Sequence, residues 1–204
     1  MNDQPAGKRE AGKREAGKLE RRDRLYEAAV TLFREQGYEN TTVDQIARRA
    51  GVAKGTFFNY FPTKDAVLRY MGAREIGRLG AASLAGGSTS AVGNLKRFMA
   101  ALATGMERDR ELIKLIFAKG MAVPDLMCGD AGGFSVRPTT SLLIRRAQHL
   151  REINRDLDPE ALAAALDALY LQQLVRWCET ETPYALGERL TGIVDLLMMG
   201  IAAR

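Results

Sequence analysis

A chain of 204 residues, 46% hydrophobic and 27% charged, has room for one large domain or two small ones and can bury a core without disulfides or metals. Its two distant cysteines, Cys128 and Cys178, offer no disulfide framework and read as buried or idle thiols, and no apolar run reaches the ~20 residues of a membrane span. The net charge of +5 is uneven, because residues 1–64 hold 13 Lys and Arg against 9 Asp and Glu, whereas residues 65–204 hold 17 against 16.

A basic excess confined to the first third suggests an anionic partner there, nucleic acid first. The charged start MNDQPAGKRE lacks the apolar stretch of a secretory signal, so a cytoplasmic protein without a membrane partner is expected. In chain order, the first feature is an approximate pentad repeat, Ala6-Gly7-Lys8-Arg9-Glu10 and its two successors through Glu20. Its recurring glycines each cost a helix roughly 1 kcal/mol, and no apolar face accompanies them. Residues 1–18 are therefore expected to form a flexible basic arm, either adding phosphate or minor-groove contacts or merely solvated.

Leu25, Ala28, Ala29, Leu32 and Phe33 then keep the spacing of one helical face, and Gly37 is placed to end that helix in a left-handed cap. Thr42 and Gln45 form a capping-box pair for a second helix, Gly51 breaks it, and a short third helix is expected from about Lys54 to Tyr60. Pro62 cannot continue that helix, and Thr63 can cap a fourth. The fourth fades into the loop Gly86–Ser90, and helices follow at about Ala91–Arg108 and Arg110–Met121. Ala122 to Arg137 reads as a long connection, and helices of about Pro138–Arg155, Pro159–Glu179 and Ala185–Ala203 complete the chain. The expected fold is all-α with about nine helices.

Val43 to Pro62 is the most informative stretch. Two short helices crossing steeply need a small residue at the contact, here Ala47, and a turn residue tolerant of positive φ, here Gly51. Ile46, Ala50, Val52 and Phe57 fill the angle between the helices, and Tyr60 and Phe61 close the far end. A helical hairpin that never touches DNA explains those apolar positions but not the polar ones. Lys54, Thr56 and Asn59 face outward, and Gly55 allows close approach, as a helix reading a major groove requires. Thr42 and Lys64 stand where a hydroxyl and an ammonium could meet phosphate.

The run from Leu25 to Leu68, and especially TTVDQIARRAGVAKGTFFNYFPTKDAVL, resembles the N-terminal domain of the TetR family of bacterial repressors over about 45 residues. The resemblance implies a three-helix helix-turn-helix head at 19–65 and a helical regulatory and dimerisation body at 66–204. It also implies repression relieved when a small ligand enters the body. Carried over by residue, Thr42, Thr56, Tyr60 and Lys64 would hold the phosphate backbone, while Ala53, Lys54, Gly55 and Asn59 would read bases. Phe58 departs from the tyrosine common at that position, so a phosphate-contacting hydroxyl is missing there.

Leu186, Leu190, Ile193, Val194, Leu197 and Ile201 form one stripe on the last helix, with Leu196 and Met199 off it. The preceding helix offers Leu162, Leu166, Leu169, Leu174 and Trp177. This apolar surface exceeds what one partner covers, so helices 159–179 and 185–203 are expected to build a homodimer. A pocket for a small apolar effector is expected around Phe98, Met106, Phe117, Met121, His149 and Tyr170, residues that equally suit a plain core. One histidine, two distant cysteines and no glycine-rich phosphate loop leave little for catalysis, so no enzyme, cofactor or metal is expected. The reading is a sequence-specific repressor of operator DNA, against the alternative of a non-specific architectural protein.

Overall fold

Helix α1 (Ala6–Gln36) starts farther back than the sequence suggests, since its backbone is already helical where a flexible arm at 1–18 is expected. Ala, Lys, Arg, Glu and Leu are strong helix formers, and a helix nucleated downstream by packing extends through them at little cost, glycines notwithstanding. The pentad advances by about 140° per repeat on a helix, so its sequence cannot line up one apolar face. That face begins at Leu25, where Leu25, Ala28, Ala29, Leu32 and Phe33 are all buried. Gly37 then ends the helix at φ 82°, its N–H donating to the Phe33 carbonyl at 3.1 Å.

The computed structural model describes residues 6–86, 90–121, 134–182 and 184–201, among which lie nine helices and no strand. The chain divides into two units, Met1–Leu68 and Arg69–Arg204. The first holds α1, α2 (Val43–Arg49), α3 (Lys54–Phe58) and the first turn of α4 (Lys64–Ala85). The third helix stops two residues short of the expected Tyr60, because Asn59 caps it and the Phe61 N–H turns back onto the Phe57 carbonyl at 2.8 Å.

The second unit is built on α5 (Ala91–Arg108), which packs against α7 (Arg137–His149) and α9 (Leu186–Ile201), while α8 (Pro159–Glu179) packs on α6 (Arg110–Met121), α7 and α9. Leu95, Phe98, Met99, Leu102, Ala103 and Met106 give α5 one wholly buried face. Leu166, Tyr170, Leu174 and Trp177 of α8 join the same core, as do Leu186, Leu190 and Val194 of α9. Carboxylates borrowed from elsewhere cap two of these helices. Glu152 accepts from the Ala91 and Val92 N–H groups and from the Ser90 hydroxyl, and Glu107 accepts from the Leu186 N–H at 2.7 Å. Burial alone would raise the Glu152 pKa, yet those hydrogen bonds outweigh it and hold the group low.

The seventh helix corrects the expected range of Pro138–Arg155, for it ends at His149. Arg151 takes φ 62°, and the Glu152 and Arg151 N–H groups return to the Ala147 and Gln148 carbonyls at 2.8 and 3.1 Å, a Schellman end without its usual glycine. The cost of the left-handed arginine, about 1 kcal/mol or more, is offset by Glu152 reaching α5. The connection expected over 122–137 lies mostly outside the described residues, as do 87–89 of the expected loop and 202–203 of the expected last helix.

Close packing at Gly80 of α4 offers a direct check. A Cβ there would lie 2.6 Å from the Thr139 hydroxyl and 2.7 Å from its methyl. Gly80→Ala gains up to about 1 kcal/mol of helix propensity but loses about 1–3 kcal/mol to overpacking. Urea denaturation is expected to show a net loss for Gly80→Ala, and recovery when Thr139→Ala is added.

Candidate nucleic-acid interface

The angle between α2 and α3 is set by backbone chemistry before any side chain points outward. The Val52 N–H donates to the Ala47 carbonyl at 3.0 Å and the Gly51 N–H to the Arg48 carbonyl at 3.1 Å, with Gly51 at φ 69°. This Schellman closure satisfies the carbonyls at the end of α2 and turns the chain sharply. Ile46, Ala47, Ala50, Phe57 and Phe61 are buried in the angle as expected, whereas Val52 and Tyr60 are half-buried. The Phe57 and Phe61 rings lie 5.7 Å apart, pinning the C-terminal end of α3.

The start of α2 is tied to the end of α1. The Thr42 hydroxyl accepts from the Gln45 N–H at 3.2 Å, and Gln45 Oε1 accepts from the Thr42 N–H at 2.8 Å, the reciprocal capping box. The same Gln45 oxygen receives Gln36 Nε2 at 3.1 Å. Arg49 adds an ion pair to Glu35 of α1, with Nη2 to Oε1 at 2.8 Å.

The outward residues then fall on one surface. Ala53, Lys54, Gly55, Phe58 and Asn59 are exposed, Thr56 is half-buried, and Thr42 is exposed at the start of α2. A Cβ on Gly55 would meet nothing within 4 Å, so that position is open to a ligand's close approach. Lys54 is paired with Asp44 at 2.7 Å, but both side chains are more than half exposed. Such a pair is worth about 0.2–1 kcal/mol, so the ammonium can leave it for a stronger anion. Phe58 meets Phe57 edge-on at 5.5 Å and stays exposed.

Lys64 corrects the sequence reading. Its ammonium points inward, donating to the Tyr38 and Thr41 carbonyls at 2.7 and 2.8 Å and lying 4.0 Å from the centre of the Tyr38 ring. The neighbouring Asp65 accepts from the buried Tyr38 hydroxyl. Burial, first, and that hydrogen bond raise the Tyr38 pKa, so the phenol remains a donor. Lys64 thus fastens the α1–α2 turn to α4.

One concave patch was not foreseen. A groove of about 280 Å³ is lined by Lys18, Leu19 and Arg22 of α1 together with Asn59 and Tyr60 after α3. The signal was present: Lys18, Arg22, Leu25, Ala29 and Leu32 repeat with alternating spacings of four and three, so the buried stripe of α1 continues backward as two cations.

In the second unit, the expected pocket residues divide. Phe98, Met106, Phe117 and Tyr170 are buried together in the core, and the side chain of Met121 lies outside the described residues, as does Cys128. His149 is exposed at the end of α7, so it does not belong to a buried cavity. Burial raises the Tyr170 pKa, and its hydroxyl has no hydrogen-bond partner among the described residues. Phe117 also borders an apolar groove of about 300 Å³ with Lys114, Ala118, Val175, Cys178 and Glu179. Burial pushes the half-buried Cys178 thiol up to about 11, which leaves it a poor nucleophile at neutral pH. No group of metal-ligating side chains occurs among the described residues, and no helix there is long and apolar enough to cross a membrane.

Residues 25–71 match the model of bacterial regulatory proteins of the tetR family. The repressor KstR of Rhodococcus jostii is 26% identical over 182 residues, 88% of this chain and 83% of its own. The regulator HbdR of an Aromatoleum species is 51% identical over 49 residues, 24% of this chain and 21% of its own. Among solved structures, the TetR-family repressor FadR of Thermus thermophilus, in complex with lauroyl-CoA, superposes with a TM-score of 0.73 at 28% identity, covering 90% of this chain and 96% of its own.

The inward geometry of Lys64 yields an expected outcome. Lys64→Ala leaves two carbonyls without their charged donor and should lower stability by about 2 kcal/mol in urea denaturation, with base preference unchanged. Unaltered stability with weakened DNA binding would return Lys64 to the phosphate contacts.

Proposed function

The chain belongs to the TetR family of bacterial regulatory proteins and is a DNA-binding transcriptional regulator, and we propose that it works as a dimeric, sequence-specific repressor released by an amphipathic ligand. The observation that carries this reading is α3, whose inner face is locked by Phe57 while Ala53, Lys54, Gly55 and Asn59 are left exposed on one side. In this reading, Lys54 and Asn59 hydrogen-bond base edges in the major groove, Ala53 and Gly55 let the backbone approach, and Thr42, Thr56 and Tyr60 hold phosphate. The head at 19–65 then serves DNA, and the remaining residues, 66–204, serve the ligand and the second copy.

One α3 gives too small a footprint for a unique site, so two copies must read two half-sites about one helical turn apart. The exposed side of α9 supports this, since Leu196 and Met199 are 64% and 84% exposed beside exposed Gly192 and Gly200. Leu166, Leu174 and Trp177 are buried in the chain's own core, so the α8 share of the interface falls to half-buried Leu162 and Leu169 and the small residues between them. Non-specific packaging of DNA would need no such polar set on α3. The similarity to a repressor that carries lauroyl-CoA supports an acyl thioester as effector class. The buried Tyr170 hydroxyl, unpartnered among the described residues and beside an apolar core, supports the same class, because such a group costs about 1–3 kcal/mol unless a polar atom meets it.

Selection from a random duplex pool should return an inverted repeat, with Lys54→Ala and Asn59→Ala each costing about 1–3 kcal/mol and relaxing preference at single base pairs. Recovery of duplexes without a common site would refute the repressor reading. Titrating lauroyl-CoA into the complex should release the duplex, and Tyr170→Phe should blunt the release; indifference to acyl-CoAs of every chain length would remove the effector assignment alone.

A further inference from the structure

The groove lined by Lys18, Leu19, Arg22, Asn59 and Tyr60 is only half explained by the reading above, which gives Asn59 and Tyr60 a role but leaves Lys18, Leu19 and Arg22 without one. Its residues come from both ends of the head's sequence. α1 reaches past the last turn of its own core, and the face that buries Leu25, Ala29 and Leu32 presents Arg22 and Lys18 one and two turns earlier. Lys18 and Leu19 are exposed and Arg22 is half-buried. Opposite them stand the Asn59 amide and the Tyr60 phenol, directly after α3.

The lining has a definite chemical bias. An ammonium, a guanidinium, an amide and a phenol supply donors, and no carboxylate lines the groove among the described residues. Its volume of about 280 Å³ accommodates one tetrahedral anion with water, while Leu19 gives an apolar wall against which a sugar can rest. We propose that this groove clamps a backbone phosphate of duplex DNA flanking the bases read by α3, which makes α1 part of the DNA-binding surface. The inference rests on the repressor reading, since it requires α3 to lie in the groove whose rim carries that phosphate. It also gives the basic repeat a use, for α1 must extend beyond Leu25 to hold Lys18 over the groove.

Counterion release makes this measurable. Each phosphate neutralised by one cation contributes about 0.9 to the slope of log affinity against log salt. Lys18→Gln and Arg22→Gln in the full chain should each lower that slope by about 0.9 on the selected duplex and weaken binding about fivefold at physiological salt, with base preference unchanged. Arg24→Gln, the same charge change at an exposed position outside the groove, should leave the slope as it was. Lys18→Arg should restore it. Because Lys18 is exposed, its variant reports on DNA even if Arg22→Gln proves unstable. Equal slopes for wild type and Lys18→Gln, the result a site for a free anion would give, overturn the clamp. So does a loss equal to that of Arg24→Gln. A wild-type protein that prefers no duplex fails at the earlier reading instead, so the two failures are distinguishable.

Discussion

A five-residue helix does not hold its shape in water, so α3 exists because the chain around it leaves no alternative. Gly51 supplies the left-handed turn, the Val52 N–H closes onto the Ala47 carbonyl, and Phe57 is buried completely. Replace the turn and the hydrogen bonds at the end of α2 are lost together with the burial of Phe57. The outward set of α3 is the remainder left by that constraint. Lys54, Gly55 and Asn59 are exposed because the inner positions are already committed, which is how a stability requirement becomes a recognition surface.

Around this centre, the head is stiffened by ties between distant parts of its sequence. Gln45 serves α2 and α1 at once, Arg49 grips Glu35, and Lys64 and Asp65 hold Tyr38 from two sides. These contacts turn polar and charged groups inward, Lys64 above all. The balance of the head is therefore division of labour: inward cations fix geometry, and outward donors on α3 and α1 remain for a partner. In the second unit the same economy appears in Glu152 and Glu107, carboxylates that cap helices to which they do not belong.

Much of this was legible in the sequence because it follows from local rules. The capping box at Thr42, the left-handed glycines 37 and 51, and the starts of α5, α6 and α8 all obey spacing and cap chemistry. What escaped was set by tertiary contact. Arg151 carries no sign that it ends α7, because the compensation comes from Glu152 bonding to residues 90–92. Lys64 looks like any basic residue at a helix start until Tyr38 and Thr41 are brought beneath it. His149 drew attention as the sole histidine, yet rarity in a sequence says nothing about burial. The helical run through residues 6–18 was hidden by its glycines, whose local penalty was outvoted by the long helix they continue.

The account turns on α3 entering the major groove, and methylation interference reads that directly. Guanines methylated at N7 mark the floor of the major groove, so a bound helix there cannot tolerate them. Two patches of interference about one helical turn apart, centred on the selected half-sites, are expected. Interference absent from the major groove, with binding abolished instead by ligands filling the minor groove, would contradict it.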